Sequence, residues 1–442
     1  MKKSLIAVAA AAALAVALLA TACSDPSAGG GGDAGSAGPV AWPDQTADLS
    51  GVDLTIWAAQ SSVTVPDAVV SAFEEATGAE VDVVTIPDPY EQGVQTKVAT
   101  GDTPDLAFWQ PTASMLTALN APANLQPLDD APWLEDVRPE LRDMTGILDG
   151  TRYAALISTP AVIGVYYNTQ VFAEHGITEP PADWDAFVEV ARTLKADGVT
   201  PFFEMAGDRW GTQWWVQAQL ADAAADGLWD RVNTHEESFT DPTILGAIEE
   251  YKALIDEGLF NADIATATFE DQGDALLSGD AAMAIQVNSL FTQLQAKADA
   301  ATLDDTIGFF PISPSGNVGT FVPDQANALV AFKTGDATRE AAARQLLAFW
   351  LGDGYADFVA DQGTVSVLSD VDSPDSVPVA LTQVADALGD SVGSMQALAV
   401  ANPDLYLFLA DMIQGSTTPA QVAQQTQDQF AQLAQAQGVE GF

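Results

Sequence analysis

The residues of this chain best suited to hold a ligand are tryptophans that stand beside amide or charged side chains. An indole ring packs against the C–H face of a sugar, and planar polar groups pair with sugar hydroxyls. This combination predicts a carbohydrate site. The candidates of this kind are Trp57, Gln60, Trp109, Gln110, Asp208, Arg209, Trp210 and Trp214.

The positions of these tryptophans favour a site, although each could instead belong to a core. Trp57 and Trp109 each end a short apolar run that is typical of a β-strand, and Trp210 lies in a glycine-flanked loop. Trp184 and Trp350 follow the apolar periodicity of helices, so we predict that both are core residues.

No catalytic motif accompanies these residues. The sequence contains no glycine-rich nucleotide-binding pattern, no nucleophile elbow and no zinc-protease motif. His175, His235 and a single cysteine do not supply a zinc site. Acid pairs such as Glu249 and Glu250 are expected on a solvated surface. We therefore predict a protein that is not an enzyme and that needs neither a metal nor a cofactor.

Composition narrows the class of partner. The 442 residues include 15 Lys and Arg against 62 Asp and Glu, so the formal net charge is −47. Nucleic acid and anionic headgroups would be repelled by such a chain. Ten Trp and 19 Phe exclude a disordered protein. Single cores stop growing near roughly 250–300 residues, so we expect more than one folded unit.

The N-terminal residues carry a targeting signal. Residues 1–22 have two lysines, an apolar run and small residues before Cys23, which is typical of a secretory signal peptide. Cys23 resembles the lipidated cysteine of bacterial lipoproteins, although Ala20 stands where a Leu is usual. We expect residues 23–48 to form a flexible, Gly-, Ala- and Ser-rich tether. The tether would hold the body on the outer face of a cell membrane through a lipid anchor.

The body alternates strand and helix patterns, which predicts an α/β fold. Strand runs at 52–58, 80–86 and 105–109 are separated by helices at 66–77 and 90–100. Such an order implies a parallel sheet with right-handed crossovers, whose ligands gather beyond the carboxyl ends of the strands. Asp183 is expected to cap a helix, and a glutamine-rich helix is expected after Thr418.

Six stretches, in order along the chain, resemble the extracellular solute-binding proteins of bacterial ABC importers, in the cluster that includes the maltose-binding protein. They are 54–57, 73–81, 100–106, 166–172, the Pro180-Pro181 pair with Trp184, and 269–285. The resemblance implies a periplasmic-binding-protein-like fold, in which two α/β lobes close by a hinge around a ligand. It places the N-lobe at 49–158 plus 266–313 and the C-lobe at 159–265 plus 318–442.

The resemblance also adds site residues and partners. The chain would cross between lobes near Ser158, near Thr266 and at 313–318. Family members often carry a tryptophan a few residues after the 281–283 stretch, where this chain has Gln286-Val287-Asn288-Ser289, with Ser289 in the place of the ring. Gln286 and Asn288 are added as candidate ligand contacts. Asp324 and Gln325 follow the last crossing, and their side-chain oxygens could accept hydrogen bonds from ligand hydroxyls. ABC permease subunits are the implied partner, and a monomer is expected.

The function implied is capture of a mono- or oligosaccharide. A non-sugar solute such as a polyamine, and a secreted carbohydrate-active enzyme, are the alternatives.

Overall fold

The structure is a computed structural model that describes residues 42–60, 65–87 and 90–442. The predicted signal peptide, Cys23 and the first part of the predicted tether lie outside these residues. No helix in the described ranges is both long and apolar enough to cross a membrane.

The described residues form thirteen strands. They are β1 Asp53–Ala59, β2 Glu80–Ile86, β3 Leu106–Phe108, β4 Ile147–Leu148, β5 Thr151–Arg152, β6 Ala154–Leu156, β7 Ala161–Asn168, β8 Thr200–Phe202, β9 Ala281–Gln286, β10 Ile307–Phe310, β11 Thr320–Val322, β12 Ala328–Ala331 and β13 Val392–Gly393.

Twenty α-helices join the strands, together with short 3₁₀ helices at Trp210–Thr212 and Gln325–Asn327. The α-helices are α1 Asp67–Thr77, α2 Tyr90–Ala99, α3 Ala113–Ala118, α4 Ala121–Asn124, α5 Pro139–Arg142, α6 Thr169–Glu174, α7 Trp184–Ala196, α8 Gln213–Gln219, α9 Ala221–Ala225, α10 Leu228–Asn233, α11 Pro242–Asp256, α12 Phe269–Ser278, α13 Leu290–Lys297, α14 Ala300–Thr306, α15 Ala337–Trp350, α16 Tyr355–Gln362, α17 Val379–Leu388, α18 Met395–Leu398, α19 Leu405–Ile413 and α20 Pro419–Ala436.

The helix boundaries follow local capping chemistry, as the sequence predicts. The Asp183 side chain accepts a hydrogen bond from the Ala186 amide at the start of α7. Thr418 and Gln421 form a reciprocal capping box at the start of α20. Gly78 ends α1 with a φ of 74°, a value that costs glycine little.

The N-lobe is built on a five-stranded sheet in the order β2-β1-β3-β12-β6. β1 pairs in parallel with both β2 and β3, which confirms the β-α-β-α-β expectation for residues 53–108. β12 and β6 complete the sheet in antiparallel pairs. Strand β12 comes from the region that the sequence analysis gave to the C-lobe.

The C-lobe is built on a second sheet in the order β13-β11-β7-β9-β8, with β10 also pairing β7. β9 and β10 lie within 266–313, which the sequence analysis assigned to the N-lobe, so the structure differs there. Apart from Gln286, β9 is wholly apolar, so its composition suits a buried strand of either sheet. Its lobe is decided by its pairing with β7, which is distant in sequence.

Three segments carry the chain between the two sheets. β6 and β7 are joined by 157–160, around Ser158, and β11 and β12 are joined by 323–327. The third segment, 363–378, leads from α16, which packs on α1, to α17, which packs on β10. The resemblance predicted crossings near Thr266 and at 313–318. In the structure, the second and third crossings lie instead at 323–327 and 363–378.

The crossing segments are tied together by hydrogen bonds. The Asn327 amide donates to Ser158 Oγ at 3.1 Å and to the Thr159 carbonyl at 2.9 Å. The buried Tyr355 hydroxyl donates to the Ile157 carbonyl at 3.0 Å and accepts from the Val367 amide at 2.9 Å. Asn327 thus joins the second crossing segment to the first, and Tyr355 joins the first to the third.

The last residues of the predicted tether pack against the N-lobe. The Trp42 indole donates to Asp130 and contacts Trp133 edge-on at 5.0 Å. Gln345 donates to the backbone carbonyls of Gln45 and Ala47. From Trp42 onward, the chain is therefore part of the folded body.

Candidate binding site between the lobes

The carboxyl edge of the N-lobe sheet is covered by the start of α2. The Tyr90 hydroxyl lies 2.6 Å from the Phe108 carbonyl and 3.2 Å from the Trp57 carbonyl, at the ends of β3 and β1. Glu91, the next residue on α2, is half-buried beside this edge. The first turn of α2 thus stands where ligands of parallel sheets gather.

Trp57 and Trp109 do not present a free ring face at this edge, contrary to prediction. Trp109 has no exposed surface, and its indole N–H donates to the Met115 carbonyl at 3.0 Å. Trp57 is 3% exposed. Its ring lies 5.0 Å below the Lys97 ammonium. Both are core residues here, because α2 and α3 cover the side of the sheet on which their rings fall.

The two glutamines that follow those strands have different environments. Gln60 is exposed, and its backbone amide continues the sheet by donating to the Ile86 carbonyl. Gln110 is half-buried, and its Nε2 donates to the Pro323 carbonyl at 2.8 Å. Gln110 therefore links the N-lobe to a crossing segment, beside Asp324.

The loop 207–210 brings charged groups to the C-lobe side of the site. The Trp210 amide donates to the Asp208 carbonyl at 2.8 Å, so the loop makes a γ-turn centred on Arg209. Arg209 has a φ of 66° and a ψ of −53°. Among the described residues with positive φ, the other non-glycines are Asn120, Asp149 and His235, types that tolerate it better.

Both sides of this turn are held from outside. Asp208 Oδ2 accepts the Phe269 amide at 2.7 Å and so caps α12. Gly207 lies so close to the backbone of residues 266–267 that a Cβ there would be 2.5 Å from the Thr266 carbonyl oxygen. These contacts fix a strained conformation, which is common at binding sites.

Trp210 is the most accessible of the predicted aromatic residues. It is half-buried, and its ring meets Phe269 edge-on at 4.9 Å and Trp214 at 6.3 Å. Trp214 is 6% exposed, and its indole N–H has no hydrogen-bond partner in the described part of the protein. Trp210 thus offers a ring to a ligand, whereas Trp214 offers little surface.

Gln286 is a structural residue rather than an open ligand contact. Its side chain is fully buried, donates to Gln272 at 2.9 Å and accepts from the Val287 amide at 2.9 Å. Asn288 is half-buried, and its Oδ1 accepts from the Val162 amide at 3.2 Å. Only Asn288 of this pair retains surface that a ligand could meet.

The second crossing segment carries an exposed acid. Asp324 Oδ1 accepts from the Ala326 amide at 2.9 Å, which orients the carboxylate. Asp324 is exposed to solvent, yet desolvation by the surrounding protein raises its pKa. Gln325, which follows it, is half-buried in the 3₁₀ turn.

Two functional candidates, Glu91 and Tyr406, were missed by the sequence analysis. Burial raises the pKa of the Tyr406 hydroxyl, the carboxylates of Asp404 and Glu91 raise it further, and the Arg209 guanidinium opposes them. Tyr406 on α19 of the C-lobe therefore lies within electrostatic range of Glu91 of the N-lobe. No local motif marks either residue, since the two positions are more than 300 residues apart.

The described residues hold no cluster of His, Cys, Asp and Glu that could bind a metal. A surface depression of about 420 Å³ between α7 and α11 lies away from the predicted site residues. It is lined mainly by charged side chains, among them the Arg192–Glu257 ion pair.

Comparison with known proteins identifies the family. The family model described as bacterial extracellular solute-binding protein matches residues 58–357, more than half of the chain. The chain belongs to this family. This extracellular solute-binding protein has the fold of the two-lobed periplasmic binding proteins. Its structural neighbours include a bacterial solute receptor with a preference for β-D-galactopyranose and an ABC transporter solute-binding protein bound with α-D-tagatose.

Three relatives show how far the similarity extends. A putative binding protein of Brucella abortus is 26% identical over 222 residues, covering 50% of this chain and 52% of that protein. The alpha-glucosides-binding periplasmic protein AglE of Rhizobium meliloti is 28% identical over 255 residues, covering 52% and 54%. The alignments thus span about half the length of these curated relatives. A solved chitin oligosaccharide binding protein superposes with a TM-score of 0.70 at 22% identity, covering 86% and 98%.

Proposed function

We propose that this protein is the substrate-binding lipoprotein of an ABC importer, which captures a mono- or oligosaccharide by lobe closure. The observation that carries this proposal is that Glu91 of the N-lobe lies within electrostatic range of Tyr406 of the C-lobe, on the helix whose Tyr406 carbonyl accepts from Thr212 beside Trp210. Polar groups from both lobes thus approach one place, beside the half-buried ring of Trp210. A ligand that touches both lobes favours the closed state by its differential affinity for it.

The mixed charges around this place favour a neutral ligand with many hydroxyls. Arg209 would repel a cation, while Glu91 and Asp324 would repel an anion. Sugar hydroxyls can accept from the guanidinium and donate to the carboxylates. The sugars printed in the names of AglE and of the chitin oligosaccharide binding protein are consistent with this class. The binding residues we propose are Gln60, Glu91, Gln110, Arg209, Trp210, Asn288, Asp324 and Tyr406.

A polyamine is the second candidate, because Asp324 and Glu91 supply carboxylates. It would have to overcome the positive charge of Arg209. A carbohydrate-active enzyme is less favoured, since the family and its neighbours are binding proteins.

Anchoring and delivery complete the proposal. Signal removal would leave Cys23 as the lipidated N-terminal residue, with the body acting as a monomer beside its permease. Cys23 is the only cysteine of the sequence. Cys23→Ser should therefore release the protein into the medium, and full membrane retention of that variant would contradict the anchor.

The binding function is tested by titrating the purified body with maltose, raffinose, galactose, chitotriose and spermidine. A ligand at 100 times its Kd raises the free energy of unfolding by about 2.7 kcal/mol, which thermal shift detects. Small-angle scattering should show a smaller radius of gyration with the bound sugar, which mass spectrometry should recover intact. Binding of spermidine alone would favour the polyamine candidate, and a cleaved sugar would overturn a binding-only role.

A further inference from the structure

Three buried glutamines lie directly behind the γ-turn at Arg209. Gln213 and Gln217 are on α8 and Gln396 is on α18; they are 7%, 2% and 5% exposed. None of the three belongs to a sequence motif of the candidate site, and none exposes enough surface to contact a ligand. Buried side-chain amides in folded proteins are hydrogen-bonded. The hydrogen-bond partners of these three glutamines therefore indicate their role.

Their hydrogen bonds run in one direction. The Met395 amide donates to Gln217 Oε1 at 2.9 Å, and Gln217 Nε2 donates to Gln396 Oε1 at 2.7 Å. Gln396 Nε2 then donates to Gln213 Oε1 at 2.8 Å, and Gln213 Nε2 donates to the Trp210 carbonyl at 3.1 Å. We call this chain of four bonds the amide relay. A longer bond of 3.5 Å from Gln217 Nε2 to Gln213 Oε1 runs in the same direction.

The two ends of the relay fix its direction. A backbone N–H at Met395 requires an oxygen of Gln217 to face it, and a carbonyl at Trp210 requires a nitrogen of Gln213. Both requirements give the same orientation for the intervening Gln396 amide. Hydrogen bonds aligned in this way polarise and strengthen one another inside a protein.

The relay ends on the strained turn. Trp210 follows Arg209, whose positive φ an arginine does not favour, and the turn needs external contacts to persist. Asp208 and Gly207 supply contacts before Arg209, and the relay supplies the contact after it. Thr212 adds a hydrogen bond to the Tyr406 carbonyl at 3.0 Å, which ties the same turn to α19.

We propose that Gln213 and Gln396 are positioning residues: through the Trp210 carbonyl, they hold the 208–210 turn in the one conformation that presents Arg209 and Trp210 to the ligand. The ligand part of this inference rests on the proposed function. Holding the turn before ligand arrives lowers the ordering cost of binding. Gln396 itself acts only through Gln213 and never meets the ligand.

The test compares variants by hydrogen exchange of the ligand-free protein and by maltose and chitotriose titration. Gln396→Met keeps the size of the side chain but cannot relay a hydrogen bond. We expect amide exchange in 207–212 to rise at least tenfold, with exchange in α11 and α20 unchanged. Sugar affinity should fall at least tenfold.

A double variant separates relay from packing. Because Gln396 acts through Gln213, adding Gln396→Met to Gln213→Met should raise exchange and weaken affinity no further. The matched control is Gln126→Met in the N-lobe, a 5% exposed glutamine that donates to the Phe332 carbonyl. It should lower the melting temperature but leave both the turn and the sugar affinity unchanged.

Two results would overturn the inference: additive effects of the two Met substitutions, or unchanged exchange in 207–212 of Gln396→Met. A loosened turn with undiminished sugar affinity would equally exclude a positioning role. If the wild-type protein binds no sugar of the panel, the proposed function fails, while the exchange measurements still decide whether the relay holds the turn.

Discussion

The Tyr251 hydroxyl donates a hydrogen bond of 2.8 Å to Glu204 Oε2 inside the core of the C-lobe. Glu204 Oε1 accepts the Met205 amide at 2.7 Å, and the side chain is 1% exposed. Burial raises the pKa of Glu204 to about 7, although both hydrogen bonds favour the charged form. A carboxyl group that is half-ionised at neutral pH therefore lies just before the 207–210 loop.

This pKa predicts a pH-dependent stability. Between pH 4.5 and 7 the folded state keeps a proton that the unfolded state has lost, so the free energy of unfolding falls as pH rises. The full effect above pH 7 is about 3 kcal/mol. Glu204→Gln mimics the protonated carboxyl, because its Oε1 can accept the Met205 amide while its Nε2 donates to the Tyr251 hydroxyl. Its stability gain over wild type should therefore be near zero at pH 4 and largest at pH 8.

Chemical denaturation at both pH values measures this difference. Glu249→Gln, at an exposed position on α11, is the control and should show no such trend. An equal gain for Glu204→Gln at pH 4 and pH 8 would mean that Glu204 is not protonated in the folded state.

Trp210 should contribute to affinity rather than to stability. Its ring is half-buried and available to a sugar face, so Trp210→Ala should weaken binding at least tenfold, or about 1.4 kcal/mol. Trp42→Ala removes a similarly half-buried indole far from the site and should leave affinity unchanged. Isothermal titration with the best sugar of the panel checks both. Equal losses for the two variants would exclude a specific role for Trp210.

Trp109 should behave in the opposite way. It has no exposed surface and is surrounded by a core that includes Tyr90, with ring centroids 6.2 Å apart. Trp109→Ala should lower the free energy of unfolding by about 3–5 kcal/mol, the cost of a large cavity. The folded fraction should still bind sugar within a few-fold of wild type. A tenfold affinity loss at unchanged stability would return Trp109 to the site.

Asp324 should make sugar binding depend on pH. Its pKa is raised by desolvation, and sugar hydroxyls donate best to the ionised form. Affinity should therefore be constant at high pH and fall as pH drops through the raised pKa. Asp324→Asn should bind more weakly at pH 8 and lose this dependence. A wild-type affinity that stays flat down to pH 4 would place Asp324 outside the site.

Local sequence patterns predicted the elements whose contacts are local. β1, β2 and β3 with their helices follow from apolar runs and capping residues such as Asp183, and the cores of Trp184 and Trp350 follow from helical periodicity. The lobe of β9 did not follow, because its pairing with β7 spans more than 100 residues.

The site residues were harder to predict, because their contacts also join residues that are distant in the sequence. The sequence places Trp57 and Trp109 at strand ends but does not say that α2 and α3 cover their rings. Tyr406 and Glu91 carry no motif and come within electrostatic range only after both lobes have folded. Arg209 stood in a loop-like pattern, but its strained φ depends on contacts from α12 and α8.

Tyr355 should couple the first crossing segment, 157–160, to the third, 363–378. Its fully buried hydroxyl joins the Ile157 carbonyl to the Val367 amide, so Tyr355→Phe leaves both backbone groups without this partner. An unsatisfied buried group costs about 1–3 kcal/mol, and stability should fall by that order. The loss lies between the lobes, so small-angle scattering should show a radius of gyration that differs from wild type without ligand but agrees with it when sugar is bound. Tyr251→Phe removes a buried hydroxyl within the C-lobe alone and should lower stability without changing the ligand-free radius. If both variants lose stability while neither changes the radius, Tyr355 supports packing only and does not govern the crossing segments.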